Sequence, residues 1–257
     1  MHLPQGWIAP DWPLPSNVRA VCTTRAGGHS LAPYDGLNLG DHVGDTAEAV
    51  AANRAIFAEA IRARPVFLNQ AHGRATAFLT GNEPDGTEAD ACITTTPCVA
   101  CTIMVADCLP VLLAVRDGRA VAAAHAGWRG LAGSLGQGVL EAVWQALRDH
   151  TGAQAGETMA WLGPCIGPAA FEVGAEVKAA FEATDAGASA LFQPRGQGKW
   201  LADLAGLARR RLQALGLTRL YGNDGSPGWC TVANPSRFFS HRRDRVSGRF
   251  AASIWRV

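Results

Sequence analysis

The chain has 257 residues, of which 48% are hydrophobic, and its formal net charge is +1. This length supports a core that needs no disulfides, and the balanced charge, without a Lys/Arg run that forms a basic stripe, argues against a nucleic-acid partner. No segment reaches the roughly 18 consecutive apolar residues that span a bilayer, and the start of the chain lacks a signal-peptide pattern. We therefore expect a cytoplasmic protein without a membrane partner. Its seven cysteines, an odd number, argue against a disulfide framework.

The first third of the chain predicts a strand, a long loop and a helix. Residues 18–24 have the composition of a short strand. The glycine-rich segment RAGGHS follows, and then the stretch LAPYDGLNLGDHVGD, which is long enough to suggest a functional loop. Asp45 or Thr46 can cap a helix that continues to about Arg62. The segment PVFLNQAHG then predicts a strand that runs into a turn.

The centre of the chain is rich in predicted strands. Residues 99–105 and 109–116 are apolar runs of strand length, RDGR is a turn signal, and AVAAAHAG predicts a third strand. From Leu131 the pattern becomes helical, because apolar residues recur every four positions until Gly152. These residues are Leu135, Val139, Val143 and Leu147.

The last third predicts further elements of both kinds. TMAWLGPCIG indicates a strand and a turn, residues 174–183 and 200–215 predict helices, and the C-terminal segment predicts two strands around a basic turn. Strands in the middle with helices between the outer strands predict an α+β fold with mixed β-sheets flanked by helices. No linker or repeat divides the chain, so we expect a single domain over residues 1–257. The sequence leaves the oligomeric state open and is compatible with a monomer.

Three residues at predicted strand ends carry side chains that bind transition metals. His72 in NQAHG and His125 in AAHAGWRG lie beside or near glycines, which leave room for a ligand. Cys108 in VADCLP follows one strand and precedes Pro110. Two imidazoles and one thiolate with an open fourth position are a suitable donor set for a catalytic zinc. Their long and irregular spacing leaves open the alternative of two hydrogen-bonded core histidines and a buried thiol.

Other cysteines and arginines are weaker candidates. Cys98 and Cys101 suggest a metal or redox pair, but residues i and i+3 of a strand face opposite sides, so we interpret both as buried core residues. The turn GPCIGP, which contains Cys165, either permits close approach of a ligand or is only structural. Arg25 in TTRAGGHS and Arg129 in GWRG lie beside glycines in predicted loops, where an arginine suits a phosphate or a carboxylate. A lone loop arginine is more often a surface residue.

Seven segments together resemble one known family. In chain order they are TTRAGGHS, PYDGLNLGDHVGD, NQAHG, ADACITTTPCVACTIMVADCLPVLLA, AAAHAGWRG, GPCIGPAAFEVG and FFSHRRDRVSGR, and they extend from about residue 20 to the end of the chain. In these motifs the chain is similar to the laccase-domain (YfiH-type) family, whose members are named polyphenol oxidase or purine nucleoside phosphorylase. The combination of ADC, AHAGWRG and GPCIGP is specific to that family.

The resemblance implies a mixed-sheet α+β fold and a zinc site at His72, Cys108 and His125, which would also be the catalytic residues. It implies phosphorolysis of adenosine, inosine or methylthioadenosine, with phosphate as the second small molecule, and deamination of adenosine. Phe171 and His241 stand where the family commonly has tyrosine, so substrate preference stays open. We assign substrate binding to four residues in or beside the motifs, which are Arg25, Asn69, Arg129 and Cys165.

Three other functions remain open at the level of the sequence. A copper polyphenol oxidase fits poorly, because the chain has only seven histidines, no His-x-His pair and three methionines, although copper would bind the same donors. A metal-free cysteine hydrolase that edits peptidoglycan precursors would use Cys108 as nucleophile and His125 as base, and would leave His72 without a role. A third is a non-catalytic zinc or nucleoside-binding protein. Zinc-dependent phosphorolysis, with slower deamination at the same site, is the function that we predict.

Overall fold

The computed structural model describes residues 3–257, so Met1 and His2 lie outside the described residues. The strands are β1 (Val18–Cys22), β2 (Arg64–Phe67), β3 (Thr76–Phe78), β4 (Ala91–Thr94), β5 (Val99–Val105), β6 (Leu109–Val115), β7 (Val121–Ala126), β8 (Thr158–Leu162), β9 (Glu172–Gly174), β10 (Phe192–Gly196), β11 (Lys199–Ala202), β12 (Arg219–Gly222) and β13 (Phe250–Arg256). The helices are α1 (Ala47–Ile61), α2 (Trp128–Ala132), α3 (Val139–Thr151), α4 (Ala175–Glu182), α5 (Leu204–Ala214) and α6 (His241–Asp244). No helix among residues 3–257 combines the length and the apolar composition that crossing a membrane would require.

The strands form three sheets. A six-stranded sheet has the order β12-β8-β6-β7-β4-β3, a four-stranded sheet has the order β1-β13-β5-β2, and a small sheet has the order β10-β11-β9. The two larger sheets are mixed, because β3 pairs with β4, β12 with β8 and β2 with β5 in parallel, whereas β6 and β7 pair antiparallel. The α+β fold class with mixed sheets flanked by helices is confirmed.

The two larger sheets pack face to face, and helices cover their outer faces. Side chains alternate along each strand, so β5 directs Cys101 and Ile103 into the core between the sheets, where they meet Leu112 of β6. The other face of the six-stranded sheet packs against α3 and α5, and the other face of the four-stranded sheet packs against α1. Every residue of β5, β6 and β7 is therefore buried, which explains why these strands are continuous apolar runs.

The helix predicted from Leu131 onward is in fact two helices. Helix α2 ends at Ala132, and α3 begins only at Val139. The glycine-rich segment GSLGQG between them leaves the helical conformation, because glycine loses more backbone entropy in a helix than any other residue. Leu135, which was predicted to lie on the apolar face of the helix, is instead 91% exposed and has a φ of 51°.

Three smaller predictions are also wrong. Residues 200–202 lie in strand β11 and not in a helix, because the side chain of Asp203 caps α5, which begins only at Leu204. The first of the two predicted C-terminal strands does not form, since residues 237–240 lie in no strand, and the basic segment after them begins with the short helix α6, which is capped by Ser240. Cys98 is exposed and not buried, so of the two cysteines Cys98 and Cys101 only Cys101 is a core residue.

The long loop between β1 and α1 is held in place by one buried amide. Asn53 of α1 is fully buried, and its Oδ1 accepts a hydrogen bond from the backbone amide of His29 at 2.7 Å. Its Nδ2 donates to Ser30 Oγ at 2.9 Å and to the backbone oxygen of Asn38 at 2.8 Å. Because the loop continues to His42, which lines the pocket described below, this network also positions one side of that pocket.

We expect the substitution Asn53→Leu to lower the free energy of unfolding by about 2–4 kcal/mol, because it leaves several buried polar groups of the loop without partners. Urea unfolding of the purified variant measures this change. Glu59→Ala, at an exposed position of the same helix, is the control and should change stability by less than about 0.5 kcal/mol. An Asn53→Leu variant as stable as the parent protein would show that other contacts hold the loop.

Candidate active site

Cys108 and His125 are neighbours because strands β6 and β7 pair antiparallel. Pro110 of β6 lies opposite His125, so Cys108, two residues before Pro110, lies beside the last residues of β7. Residues 106–108 form the short connection through which the chain passes from the four-stranded sheet to the six-stranded sheet. A thiol and an imidazole therefore meet where β5 ends, β6 begins and β7 ends.

His72 reaches the same place through the carboxylate of Asp90. Asp90 lies directly before β4, and its backbone oxygen accepts a hydrogen bond from the amide of His125 at 2.7 Å. Its side chain accepts a hydrogen bond from His125 Nδ1 at 2.9 Å. It also accepts the backbone amides of Ala71, His72 and Gly73 at 3.2, 2.9 and 2.6 Å. One carboxylate, only 1% exposed, therefore fixes both the turn that carries His72 and the ring of His125.

The side chains of His72, Cys108 and His125 form a cluster that can hold a metal ion. One donor atom from each residue lies within 4.8 Å of the other two. Cys108 Sγ lies 3.7 Å from His72 Nε2, and the centroids of the two imidazole rings are 4.7 Å apart, with an angle of 74° between the rings. His72 is exposed, Cys108 half-buried and His125 buried. Zinc sites use these donor types, and a carboxylate such as Asp90 commonly binds the second nitrogen of a metal-binding histidine.

Gly127 allows the three donors to lie close together. A Cβ atom at this position would lie 2.9 Å from Cys108 Sγ and 2.9 Å from His72 Cδ2, well inside the separation at which such atoms attract. Its φ is −69°, which any residue can adopt. The glycine after AHA is therefore required for space and not for an unusual backbone conformation.

The side chains of the cluster shift one another's pKa values. Burial raises the pKa of the Cys108 thiol, but the charges and hydrogen bonds of His125 and His72 outweigh burial and lower this pKa to about 6. Burial lowers the pKa of His125, but the negative charges of Cys108 and Asp90 and the hydrogen bonds to them raise it to about 9. Burial raises the pKa of Asp90, while hydrogen bonds from His125 and from backbone amides bring it below its ordinary value. Cys108 is therefore a thiolate at neutral pH, the form that binds metals and acts as a nucleophile.

The three donors line a pocket of about 430 Å³. A pocket of this size with a mixed apolar and polar lining is typical of small-molecule sites, and aromatic rings in the lining suit the stacking of a planar ligand. One of these rings is that of Phe171, which stands where the family that the chain resembles commonly has tyrosine. The apolar part of the lining includes Met104, Trp128, Ile166, Phe171 and Leu204.

The remaining part of the pocket is basic. Asp107 is the one carboxylate among the lining residues that the structure describes. Its two oxygens already accept hydrogen bonds from Thr231 Oγ1 and from the backbone amide of Arg242, each at 2.6 Å. The pocket therefore carries an excess of positive charge that suits an anion. The basic residues of the lining are His42, Arg129, His241, Arg242, Arg245 and Arg249.

Asp107 also links Cys108 to the basic side of the pocket. Its φ of 96° is rarely adopted by residues other than glycine. Its backbone oxygen accepts the amide of Ile166 at 2.9 Å, in addition to the two side-chain contacts with Thr231 and Arg242. Three loops are thus joined at the residue next to the thiolate, and strained residues held in this way are concentrated at functional sites.

Arg25, a predicted substrate-binding residue, is not among the described residues that line the pocket. Its guanidinium donates to the backbone oxygen of Asp35 at 2.8 Å and to that of Pro235 at 3.0 Å. It also forms an ion pair with the carboxylate of Asp35 at 3.0 Å and lies over the ring of Phe239. The guanidinium of Arg25 is therefore engaged by groups of the protein itself, and substrate binding by Arg25 stays a prediction.

The other three predicted substrate-binding residues lie in three different places relative to the pocket. Cys165 is 1% exposed and accepts a hydrogen bond from Asn223 Nδ2 at 3.4 Å, so it lies in the core behind the pocket lining. Asn69 lines a smaller cavity that shares His42 with the main pocket. Arg129 does line the main pocket, and its guanidinium lies 4.6 Å from the ring centroid of Trp128.

Asp90, Arg242, Arg245 and Arg249 belong to the site, although the sequence patterns do not single them out. Asp90 immediately precedes an apolar strand, and a carboxylate in that position is a signal that could have indicated a buried role. The three arginines lie in the segment RRDRVSGR, which was predicted to be a basic turn between two strands and was not assigned a function. Only the fold shows that this turn closes one side of the pocket.

Comparisons with known proteins agree with this architecture. Residues 19–257 match the family described as multi-copper polyphenol oxidoreductase laccase. The chain is 49% identical over 250 residues to purine nucleoside phosphorylase PA4543 of Pseudomonas aeruginosa, covering 97% of this chain and 98% of that protein. It is 47% identical to purine nucleoside phosphorylase YfiH of Escherichia coli, with the same coverage. The crystal structure of a Neisseria meningitidis protein matches with a TM-score of 0.89 and 44% identity, covering 98% of this chain and 99% of that one.

If the cluster binds a metal, Asp90→Asn should weaken the binding of added zinc as the probe ion by about ten- to a hundredfold, the usual range for loss of a residue that orients metal-binding histidines. The amide keeps the shape of the side chain but removes its charge and one of its acceptors. Competition with a chelating dye measures the affinity. Asp149→Asn, at an exposed carboxylate of α3, is the matched control and should bind zinc as the parent protein does. Equal affinities of the two variants would show that Asp90 does not organise the cluster.

Proposed function

The chain belongs to the multi-copper polyphenol oxidoreductase laccase family, and we propose that it is a zinc-dependent purine nucleoside phosphorylase. Its substrates would be adenosine, inosine or methylthioadenosine together with phosphate, and it would deaminate adenosine more slowly. The observation that carries the proposal is the cluster of His72, Cys108 and His125 in the lining of a basic and partly aromatic pocket. The name purine nucleoside phosphorylase, which relatives matching almost the whole chain carry, supports it.

The donor set fits zinc. His72 and His125 offer imidazole nitrogens, and Cys108, with its pKa lowered to about 6, offers a thiolate at neutral pH. Because Asp90 accepts a hydrogen bond from His125 Nδ1, the Nε2 atom of that ring is left to bind a metal. When bound, zinc supplies a Lewis acid and lowers the pKa of water to about 7. Copper binds similar donors, so metal analysis belongs to every test of the proposal.

The pocket lining suits the two substrates of a phosphorolysis. A purine is planar and apolar on its faces, and the rings of Trp128 and Phe171 offer surfaces on which it can stack. A phosphate dianion needs cations, and the arginines of the pocket offer guanidinium groups with paired donors. The basic lining is therefore expected to orient phosphate for attack and to lower the energy of the charge that develops.

The reaction transfers a ribosyl group from purine to phosphate. A phosphate oxygen attacks C1′ of the ribose, the bond from C1′ to the purine N9 breaks, and the electron pair leaves with the base, which then takes up a proton. His241 belongs to the pocket lining, and an imidazole there can supply that proton. Without phosphate, water can enter the pocket instead, and its attack on C6 of adenosine with loss of ammonia would give inosine.

We further infer that the substrates are small molecules of the cytoplasm. All seven cysteines are free thiols, which suits a reducing compartment. The site is a concave pocket and not an extended basic surface, as expected for a nucleoside rather than a nucleic acid.

A cysteine hydrolase is a second candidate, because one observation favours it. Cys108, His125 and Asp90 are linked in series by hydrogen bonds and charge, as are the nucleophile, base and orienting residue of cysteine hydrolases. In this alternative Cys108 would attack an amide carbonyl of a peptidoglycan precursor, His125 would protonate the departing amine, and water would release the acyl group. The alternative gives His72 no role, although His72 Nε2 lies 3.7 Å from the thiol sulfur.

The two functions differ in their response to phosphate and to chelation. The zinc-loaded protein should convert adenosine and phosphate to adenine and ribose 1-phosphate, and it should form inosine slowly without phosphate. His72→Ala, Cys108→Ala and His125→Ala should each reduce kcat/KM by more than roughly a hundredfold, the upper end of the loss seen for supporting residues around a metal. Chromatography of the products with parallel metal analysis measures both effects. Cys98→Ala, at an exposed thiol, should keep full activity.

The effect of a chelator on activity also distinguishes the zinc enzyme from the cysteine hydrolase. A zinc enzyme should lose activity with a strong chelator and regain it with added zinc, whereas a cysteine hydrolase should keep its activity. A zinc-replete protein that converts neither adenosine, inosine nor methylthioadenosine would contradict the proposal and make the peptidoglycan amidase the leading function.

A further inference from the structure

The segment Arg242-Arg243-Asp244-Arg245 contains three arginines, of which Arg242 and Arg245 line the pocket, and the three are not equivalent. Arg243 binds both carboxylate oxygens of Asp244, at 2.7 and 2.6 Å, and donates to the backbone oxygens of Thr231 and Phe238. Arg243 and Asp244 therefore neutralise each other within the fold. Arg242 donates one hydrogen bond to the backbone oxygen of Glu172 at 2.9 Å and keeps its other donors.

Arg245 is the arginine of this segment whose guanidinium has no partner among the described residues. Among residues 3–257 no hydrogen bond or ion pair engages its guanidinium, it is exposed, and it lines the pocket. The nearest carboxylate along the chain, that of Asp244, is already used by Arg243. A free guanidinium beside a small-molecule pocket is available for a ligand anion.

The backbone at Arg245 is strained in a way that serves no packing purpose. Its φ is 63° and its ψ is −56°, and the amide of Val246 donates to the oxygen of Asp244 at 2.7 Å, which makes a γ-turn of the rare and strained type. Glycine would adopt this conformation without a penalty. Because the side chain makes no described contact that would offset the strain, we look for the reason in function.

A second arginine lies deeper in the same pocket. Arg249 is half-buried, its Nη1 donates to the backbone oxygens of Ser247 and Gly248 at 2.8 and 3.1 Å, and it is close enough to Cys108 and Asp107 for their charges to act on it. Its side-chain stem packs on Gly40, where a Cβ atom would lie 2.7 Å from Arg249 Cγ. An anion that reaches the metal cluster would therefore meet Arg249 beside the cluster and Arg245 toward solvent.

We propose that Arg245 and Arg249 bind a phosphate group, with Arg245 as the residue that captures it from solvent. The inference rests on the proposed function, and it assigns to these residues the anion site that the sequence had placed at Arg25 or Arg129. The phosphate group is either inorganic phosphate, the second substrate of phosphorolysis, or a phosphate ester carried by the nucleoside. Arg129 also lines the pocket, and its guanidinium stacks on the ring of Trp128, a kind of contact that Arg245 does not make among the described residues.

The test is calorimetric titration of the zinc-loaded protein with inorganic phosphate and, separately, with adenosine 5′-monophosphate and with adenosine. Arg245→Gly should weaken binding of the phosphate-bearing ligand about ten- to a hundredfold, as expected for the loss of one charge-assisted contact. The affinity for adenosine should not change. Arg245→Lys should retain part of the lost affinity, and Arg219→Ala, at an exposed position of β12, should bind all three ligands as the parent protein does.

The same variant separates ligand binding from a structural role. Because glycine relieves the positive φ, Arg245→Gly should have a Tm equal to or above that of the parent protein, whereas loss of a structural contact would lower it. A weaker titration with inorganic phosphate alone identifies the free ion as the ligand, and a weaker titration with the nucleotide alone identifies the ester.

Two results would overturn the inference. One is an Arg245→Gly variant that binds both phosphate compounds with the affinity of the parent protein, and the other is a parent protein that binds neither compound in millimolar titrations. The proposed function fails separately: a protein that binds phosphate through Arg245 but converts no nucleoside keeps the anion site and loses the phosphorylase. Conversely, an Arg245→Gly variant with full phosphorolysis at low phosphate concentration would support the phosphorylase and contradict the anion site at Arg245.

Discussion

The geometry of the site depends on the hydrogen bonds that the buried carboxylate of Asp90 accepts. A carboxylate that is 1% exposed would be very unfavourable without hydrogen-bond donors. Three consecutive backbone amides and the imidazole of His125 supply them. The turn at residues 71–73 must wrap around the carboxylate oxygens, and His72 accordingly adopts a φ of 61°. The imidazoles of His72 and His125 are thus fixed by one negative charge, which also increases the basicity of His125.

The remaining donor is fixed by the topology of the two sheets. Cys108 lies in the three-residue connection between β5 and β6, which belong to different sheets, so it lies at the edge of the core between them. Its neighbour Asp107 joins this connection to the loops of Ile166 and Arg242. Asp107 is adjacent to Cys108 in the chain and also accepts a hydrogen bond from the backbone amide of Arg242. The thiolate and the basic segment are therefore held in a fixed arrangement. The packing that stabilises the two sheets therefore also sets the distance between the cluster of possible metal ligands and the arginines of the pocket.

The sequence predicted the elements whose signals are local. Helix α1 begins after its Thr46 cap, and β5 covers residues 99–105 as predicted, since both have strong periodicity or apolar character. The interrupted helix after Leu131 was missed, because the apolar repeat every four residues was given more weight than the glycines of GSLGQG, which interrupt the helix at Leu135. Donor chemistry and the family resemblance led to His72, Cys108 and His125, which the fold brings together. Donor chemistry did not lead to Asp90 or Arg245, because the hydrogen bonds of Asp90 join residues distant in sequence and the place of Arg245 in the pocket lining depends on the fold.

The central claim is that three side chains, organised by Asp90, bind one zinc ion. X-ray absorption spectroscopy of the protein as purified, combined with quantitative metal analysis, tests it most directly. The account predicts close to one zinc per chain, with one sulfur ligand at about 2.3 Å and nitrogen ligands at about 2.0–2.1 Å, and loss of the sulfur signal in Cys108→Ala. A purified protein that contains no zinc after expression with zinc present, or whose zinc has no sulfur ligand, would contradict the account.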